Sequence, residues 1–180
     1  MKTIVLYESK YGSTEQYAKD IAKAVNAECM PLKKFRFKNI EDYDTIVFGG
    51  WVRGGVIRGI DQFLSHYDEM ENKNVIVFAA GMAMSNPDTR ALLISSNLLD
   101  MYHIRFYQMQ GKFDYSKLNP IEKMMIKASI TRMENDPNLG DFEKANLSRI
   151  MDTPITGYDE ASVQKVIRVL NKISLETPQA

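Results

Sequence analysis

One cysteine, Cys29, stands in this chain of 180 residues, so no disulfide can close within it, and the usage suits a reducing cytoplasm. There are two histidines, and neither His66 nor His103 has cysteine or acidic companions at metal-ligand spacing. They read as helix-surface and strand residues. Neither sign of charge is in excess: 23 basic and 23 acidic side chains cancel, which speaks against bulk nucleic-acid binding. A small electron carrier is often strongly acidic, and this chain is not. No apolar run is long enough to span a bilayer. The opening residues Met1 to Tyr7 read straight into a strand, without the longer apolar run and small-residue cleavage site of a signal peptide.

What is present suffices for one good core. Hydrophobic residues make up 44% of the chain and charged residues 26%, a globular balance at a length short of two ordinary domains. Thr3 to Tyr7 is an apolar run that meets Glu8, Ser9 and Gly12, as a buried parallel strand meets its loop. Tyr17, Ala18, Ile21, Ala22 and Val25 then fall at helical spacing within 13–25. Further strands are expected over 27–32, over 44–48 ending at Gly49-Gly50, over 73–79 running into Gly81, and over 103–110. Helices are expected over 57–67, over 91–101 after the start signal Ser85-Asn86-Pro87-Asp88, and over 159–173 with Val163, Val166, Ile167 and Leu170 inward. Strand and helix alternate, which predicts a parallel sheet covered on both faces.

Residues 111 to 157 break that rhythm, because the stretch is too long for an ordinary connection. It carries its own helix, signalled by Asn119-Pro120-Ile121-Glu122. We read it as an elaboration of a single domain spanning 1–176. On its helix, Ile121, Met124, Met125 and Ala128 share one face, while Lys123, Lys127 and Arg132 supply positive charge. Packing of that face against the fifth strand is the expectation. Rest on an anionic membrane surface is the alternative.

In an open parallel sheet, ligands bind beyond the carboxyl ends of the strands. Three loops belong there. The first is Ser9-Lys10-Tyr11-Gly12-Ser13-Thr14, with three hydroxyls, a glycine and the first N–H groups of a helix, a place that suits a phosphate dianion. A plain helix cap by Ser13 or Thr14 is the competing reading. The second, residues 49–55, holds four glycines in seven residues, which implies a sharp bend or close approach of a ligand. Its tryptophan, Trp51, can cover a planar ring at the mouth of the sheet or fold back onto the core. The third, residues 80–85, offers Gly81, exposed backbone and the thioethers of Met82 and Met84.

Other nucleotide sites fail on particular residues. There is no G-x-x-x-x-G-K-[ST] and no G-x-G-x-x-G after the first strand. A phosphoacceptor receiver would need clustered acids after strand one and an aspartate after strand three, where Glu8 alone and Gly49 stand. A Cys-x5-Arg phosphatase loop would need arginine at 35, which is Phe35.

With these loops in place the chain resembles the flavodoxin family over nearly its whole length. Ser9-x-x-Gly12-Ser13-Thr14 is similar to that family's phosphate loop, [ST]-x-T-G-x-T, with Tyr11 replacing the central threonine and Ser13 able to compensate. Within the family it resembles most the bacterial menaquinone-dependent protoporphyrinogen dehydrogenase branch. The match lies in the Gly-x-x-x-Arg-x-Gly pattern at 49–55 and in a long insertion with a basic, methionine-rich helix, here Pro120 to Met133. The resemblance implies a flavodoxin-like three-layer α/β sandwich with a five-stranded parallel sheet in the order 2-1-3-4-5. It implies FMN, its phosphate held by Ser9, Lys10, Tyr11, Gly12, Ser13 and Thr14. Gly50, Trp51, Val52, Arg53 and Gly54 would flank the flavin on one side, and Gly81, Met82, Ala83 and Met84 on the other. It further implies an oxidoreductase with a small-molecule reductant and a quinone, or a module serving protein redox partners. The setting is cytoplasmic, with peripheral contact to the inner face of the membrane as an option. Arg53 is the candidate anchor for an anionic substrate, since guanidinium pairs well with carboxylates, against a solvated loop role. No general base suggests itself.

Overall fold

The structure is a computed structural model that describes residues 1–82, 85–135, 137 and 149–176. It divides into two compact units, Met1–Gly111 with Tyr158–Ala180, and Lys112–Gly157.

The larger unit is built on six strands: β1 (Thr3–Glu8), β2 (Glu28–Pro31), β3 (Thr45–Arg53), β4 (Val56–Ile57), β5 (Asn74–Gly81) and β6 (Ile104–Gln110). The five parallel strands lie in the order β2-β1-β3-β5-β6, and β4 pairs antiparallel with β3 alone. This is the flavodoxin-like order expected from the sequence. The strands are apolar throughout because alternate residues enter different cores. Ile4, Leu6, Ile46, Phe48, Val75 and Val77 face one, while Val5, Val47, Ile76 and Phe78 face the other. Each such fully buried side chain contributes about 1.5–3 kcal/mol relative to exposure.

The second core is closed by helices α1 (Ser13–Ala24) and α5 (Glu160–Glu176), through Tyr17, Ile21, Val166 and Leu170. The first is closed by α2 (Ile60–Leu64), α3 (Pro87–Ser96) and short 3-10 turns that contribute Leu32, Ile40, Met70 and Leu99.

Three elements differ from the expectation. The third strand does not stop at Gly49-Gly50 but continues through Arg53, and the chain returns as β4, so 49–55 is strand and hairpin rather than loop. The helix expected over 57–67 shrinks to Ile60–Leu64, because Ile57 is held in that hairpin. Helix α3 ends at Ser96 instead of reaching Met101. There the Asn97 side chain donates to Leu93 O at 2.8 Å, competing with the backbone, and Leu98 takes a left-handed φ of 54°.

In the smaller unit, Phe113 and Ile155 bridge antiparallel, with N–H···O distances of 2.8 and 2.7 Å. Its helix α4 (Pro120–Glu134) starts where the capping signal placed it. On α4, Ile121 is 67% exposed and Met124 66%, and Met125 is exposed as well.

Candidate functional site

The parallel strands bring their carboxyl ends to one side, and β1 ends there in the loop 9–14. Gly12 adopts φ 85°, which only glycine enters without strain, and from there α1 begins. Gly12 O accepts the first helical bond, from Gln16 N, at 2.9 Å. Gly12, at the cap position, has no side chain to accept from the first turn. The acid of the first turn, Glu15, is turned away, its carboxylate held by Lys19 Nζ at 2.6 Å and by the Tyr7 hydroxyl at 3.1 Å. The bond to Lys19, then that to Tyr7, holds the Glu15 carboxyl below the usual carboxylate range. Burial, then Glu15, pushes the Tyr7 phenol up.

Ser13 and Thr14 are buried in this loop, and the Ser9 Oγ is buried with no hydrogen-bond partner among the described residues. A buried hydroxyl left unpaired is costly, and this one stands four residues ahead of the first residue of α1, whose N-terminus is the positive end of a helix dipole. The arrangement suits a phosphate or another small oxyanion.

The second segment meets the first through its aromatics. Trp51, half-buried opposite Ala80 in the β3–β5 ladder, approaches Tyr11 edge-on with ring centroids 5.9 Å apart. Lys10 Nζ stands 5.1 Å from the Tyr11 centroid and 5.6 Å from that of Trp51, a cation over two ring faces. The third segment meets the second at Gly81, where an added Cβ would sit 3.1 Å from Val52 Cβ. Met82 follows as a bend, and Ala83 and Met84 lie outside the described residues.

The glycines of 49–55 serve two separate ends. An added Cβ at Gly50 would come 2.4 Å from Ile57 Cγ2 and 2.7 Å from Arg58 O, so the returning hairpin fills that space. Gly54 and Gly55, at φ 58° and 81°, make the two-residue turn between the paired Arg53 and Val56. The turn leaves Arg53 exposed on the hairpin.

Two further residues hold these segments, and neither stands out in the sequence as a site residue. Buried Asn97 accepts from Ile57 N at 2.8 Å and donates to Gly55 O at 2.9 Å, fixing the hairpin from the end of α3. Nothing local announces this, since the partners lie some forty residues away. Tyr17 counts in the helical pattern as an apolar position, yet its hydroxyl donates to Gln110 O at 2.6 Å and accepts from Asp159 N–H at 2.8 Å. It thereby ties together the two points where the chain leaves and re-enters the larger unit. The polar tip of a buried tyrosine was the available signal. Among the described residues no group of three or more His, Cys, Asp or Glu could hold a metal ion, and no helix is long and apolar enough to cross a membrane.

Known proteins resemble parts of this chain. An uncharacterized protein of Methanocaldococcus jannaschii is 26% identical over 147 residues, covering 81% of this chain and 93% of that one. Among solved structures, oxidised flavodoxin 2 from Bacillus cereus aligns with a TM-score of 0.47 at 18% identity, covering 61% of this chain and 84% of that one. Two-electron reduced Megasphaera elsdenii flavodoxin gives 0.45 at 16% identity, covering 61% and 83%. The sequence profile of the Flavodoxin domain family matches residues 4–139, which is most of the chain and includes the loop at 9–14 and the hairpin, and the chain belongs to that family.

Proposed function

We propose that this chain binds FMN at the carboxyl ends of β1, β3 and β5 and works as an FMN-dependent oxidoreductase. One observation carries the reading: the Ser9 hydroxyl, buried and without a hydrogen-bond partner among the described residues, in the loop that turns into α1 at Gly12. Backbone N–H groups of α1 with Ser9, Ser13 and Thr14 would hold the phosphate, and Trp51 and Tyr11 offer flat apolar surface to the flavin. Bound there, FMN would supply the electron and hydride chemistry, and the protein its orientation and exclusion of water. Titration with FMN and with riboflavin, followed by flavin fluorescence, tests the cradle. FMN should bind far more tightly. Equal affinity for the two would remove the phosphate site.

The donor and acceptor follow from the resemblance to the quinone-coupled branch: a reduced substrate such as protoporphyrinogen IX, and a quinone. Arg53, exposed on the hairpin, is the group to hold a substrate carboxylate. The open face of α4 supports a setting at the cytoplasmic membrane surface, since exposed Ile121, Met124 and Met125 accompany Lys123, Lys127 and Arg132. Anaerobic addition of protoporphyrinogen IX should bleach the flavin, and a menaquinone analogue should restore it. Flotation with anionic vesicles tests the surface contact.

A second reading, electron exchange with protein partners, is favoured by a cluster of cations at the β6 edge. A flavin indifferent to porphyrinogen and quinone would select it.

A further inference from the structure

Strand β6 is the outer strand of the parallel sheet, with one neighbour only. Beside it opens a cleft of about 420 Å³ whose lining includes Ser85, Arg90, Arg105, Tyr107, Ser162 and Lys165. All of these belong to the larger unit. Arg90 comes from α3, Arg105 from β6 and Lys165 from α5, so both helix layers and the sheet edge direct a cation to one place. All three are exposed, and none forms an ion pair among the described residues. In a chain whose total charge is zero, this is a local cluster of positive charge without an ion-pair partner among the described residues.

We propose that this cleft docks an acidic redox protein. The proposal rests on the redox reading above and names the chemistry of its partner. Charge complementarity selects an anionic occupant, and steering by such a patch mainly raises the rate and selectivity of encounter. Strand addition to β6 is hindered, because Arg90 Nη2 already donates to Phe106 O at 3.2 Å and covers an edge acceptor. Recognition therefore falls to side chains. Three cations are few for a polynucleotide, whose binding would release about three counterions in a protein without net charge. A concave opening also fits a lipid surface poorly. The place suits electron exchange: Ser85 follows Gly81 by four residues, so the two lie within about 15 Å, the reach of an extended chain. Ser85, which lines the cleft, is thus within that reach of Gly81, a residue of the candidate flavin site.

The test uses the full chain and a plant-type [2Fe–2S] ferredoxin as the acidic probe, with cytochrome c as the basic control. Binding is measured by calorimetry at low and at physiological salt. The parent should bind ferredoxin at least about tenfold more tightly than cytochrome c, and screening should weaken it severalfold at the higher salt. The double variant Arg105→Glu, Lys165→Glu should lose at least about tenfold in ferredoxin affinity. Its thermal midpoint, measured alongside, shows whether it is folded, and Arg105→Gln, Lys165→Gln repeats the test with milder changes. Parent affinity retained by the folded variants, preference for cytochrome c, or binding to anionic vesicles or duplex DNA but not to ferredoxin would overturn the proposal. Failure of the redox reading shows separately, as absence of FMN binding by the parent chain.

Discussion

Helices α1 and α4 carry a glutamate at the same third position, Glu15 and Glu122, and their beginnings are finished in opposite ways. In α4 the Asn119 side chain accepts from Glu122 N at 2.9 Å, while Glu122 Oε2 accepts from Asn119 N–H at 3.3 Å. The start is closed by its own residues. In α1 the cap position is Gly12, which has no side chain to offer, and Glu15 is drawn to Lys19 and Tyr7. The cap position itself closes nothing, and Ser9 adds a buried hydroxyl without a hydrogen-bond partner among the described residues. A helix end completed by local chemistry serves stability. One whose cap position is glycine, in a loop with a buried hydroxyl, fits the phosphate site proposed above.

Four substitutions sharpen or break that contrast. The largest effect is expected from Gly12→Val, which forces a β-branched residue to φ 85° although the space around it is empty. Strain of about 1–2 kcal/mol, with realigned loop N–H groups, should weaken FMN about a hundredfold in a fluorescence titration. An unchanged affinity would mean that the loop does not hold the phosphate.

Ser9→Ala should lower FMN affinity about tenfold while leaving the flavin-free chain as stable as before, or slightly more so, because the lost hydroxyl had no partner. A loss of stability without loss of affinity in urea and FMN titrations would assign Ser9 a structural role. Asn119→Ala reverses the pattern. It should cost about 1 kcal/mol, seen as faster amide exchange in α4, with no change in FMN affinity.

Glu15→Gln should have the smallest effect. The Glu15 carboxyl is held below its usual range, so its contribution is present above the unfolded carboxylate value and fades as pH falls through the folded one. With the side chain 39% exposed, the difference between parent and variant in urea should be about 0.5 kcal/mol at neutral pH and vanish in acid. A difference that grows in acid would contradict the sign.

The contrast also shows which features were legible before folding. Asn119-Pro120-Ile121-Glu122 announced a helix start because capping is a matter of neighbours in sequence, and α4 begins there. The apolar runs at 3–7 and 73–79 announced buried strands for the same reason. The segment 49–55 was misread as loop, since glycine frequency does not separate a turn from a strand crowded by its neighbours. Gly54 and Gly55 are the turn, whereas Gly49 and Gly50 are small because Phe78 and Ile57 press against the strand.

The sequence by itself determined the class and order of the elements, the start of α1 just after Gly12 and the hydroxyls around it. These depend on residues within a few positions of one another, where propensity and capping act. Tertiary structure alone decided that Trp51 meets Tyr11, that Asn97 fixes the hairpin, that the Tyr17 hydroxyl joins Gln110 to Asp159, and that Arg90, Arg105 and Lys165 share one cleft. Those groupings join residues from fifteen to more than a hundred positions apart. Only the order of the strands in the sheet brings them within reach.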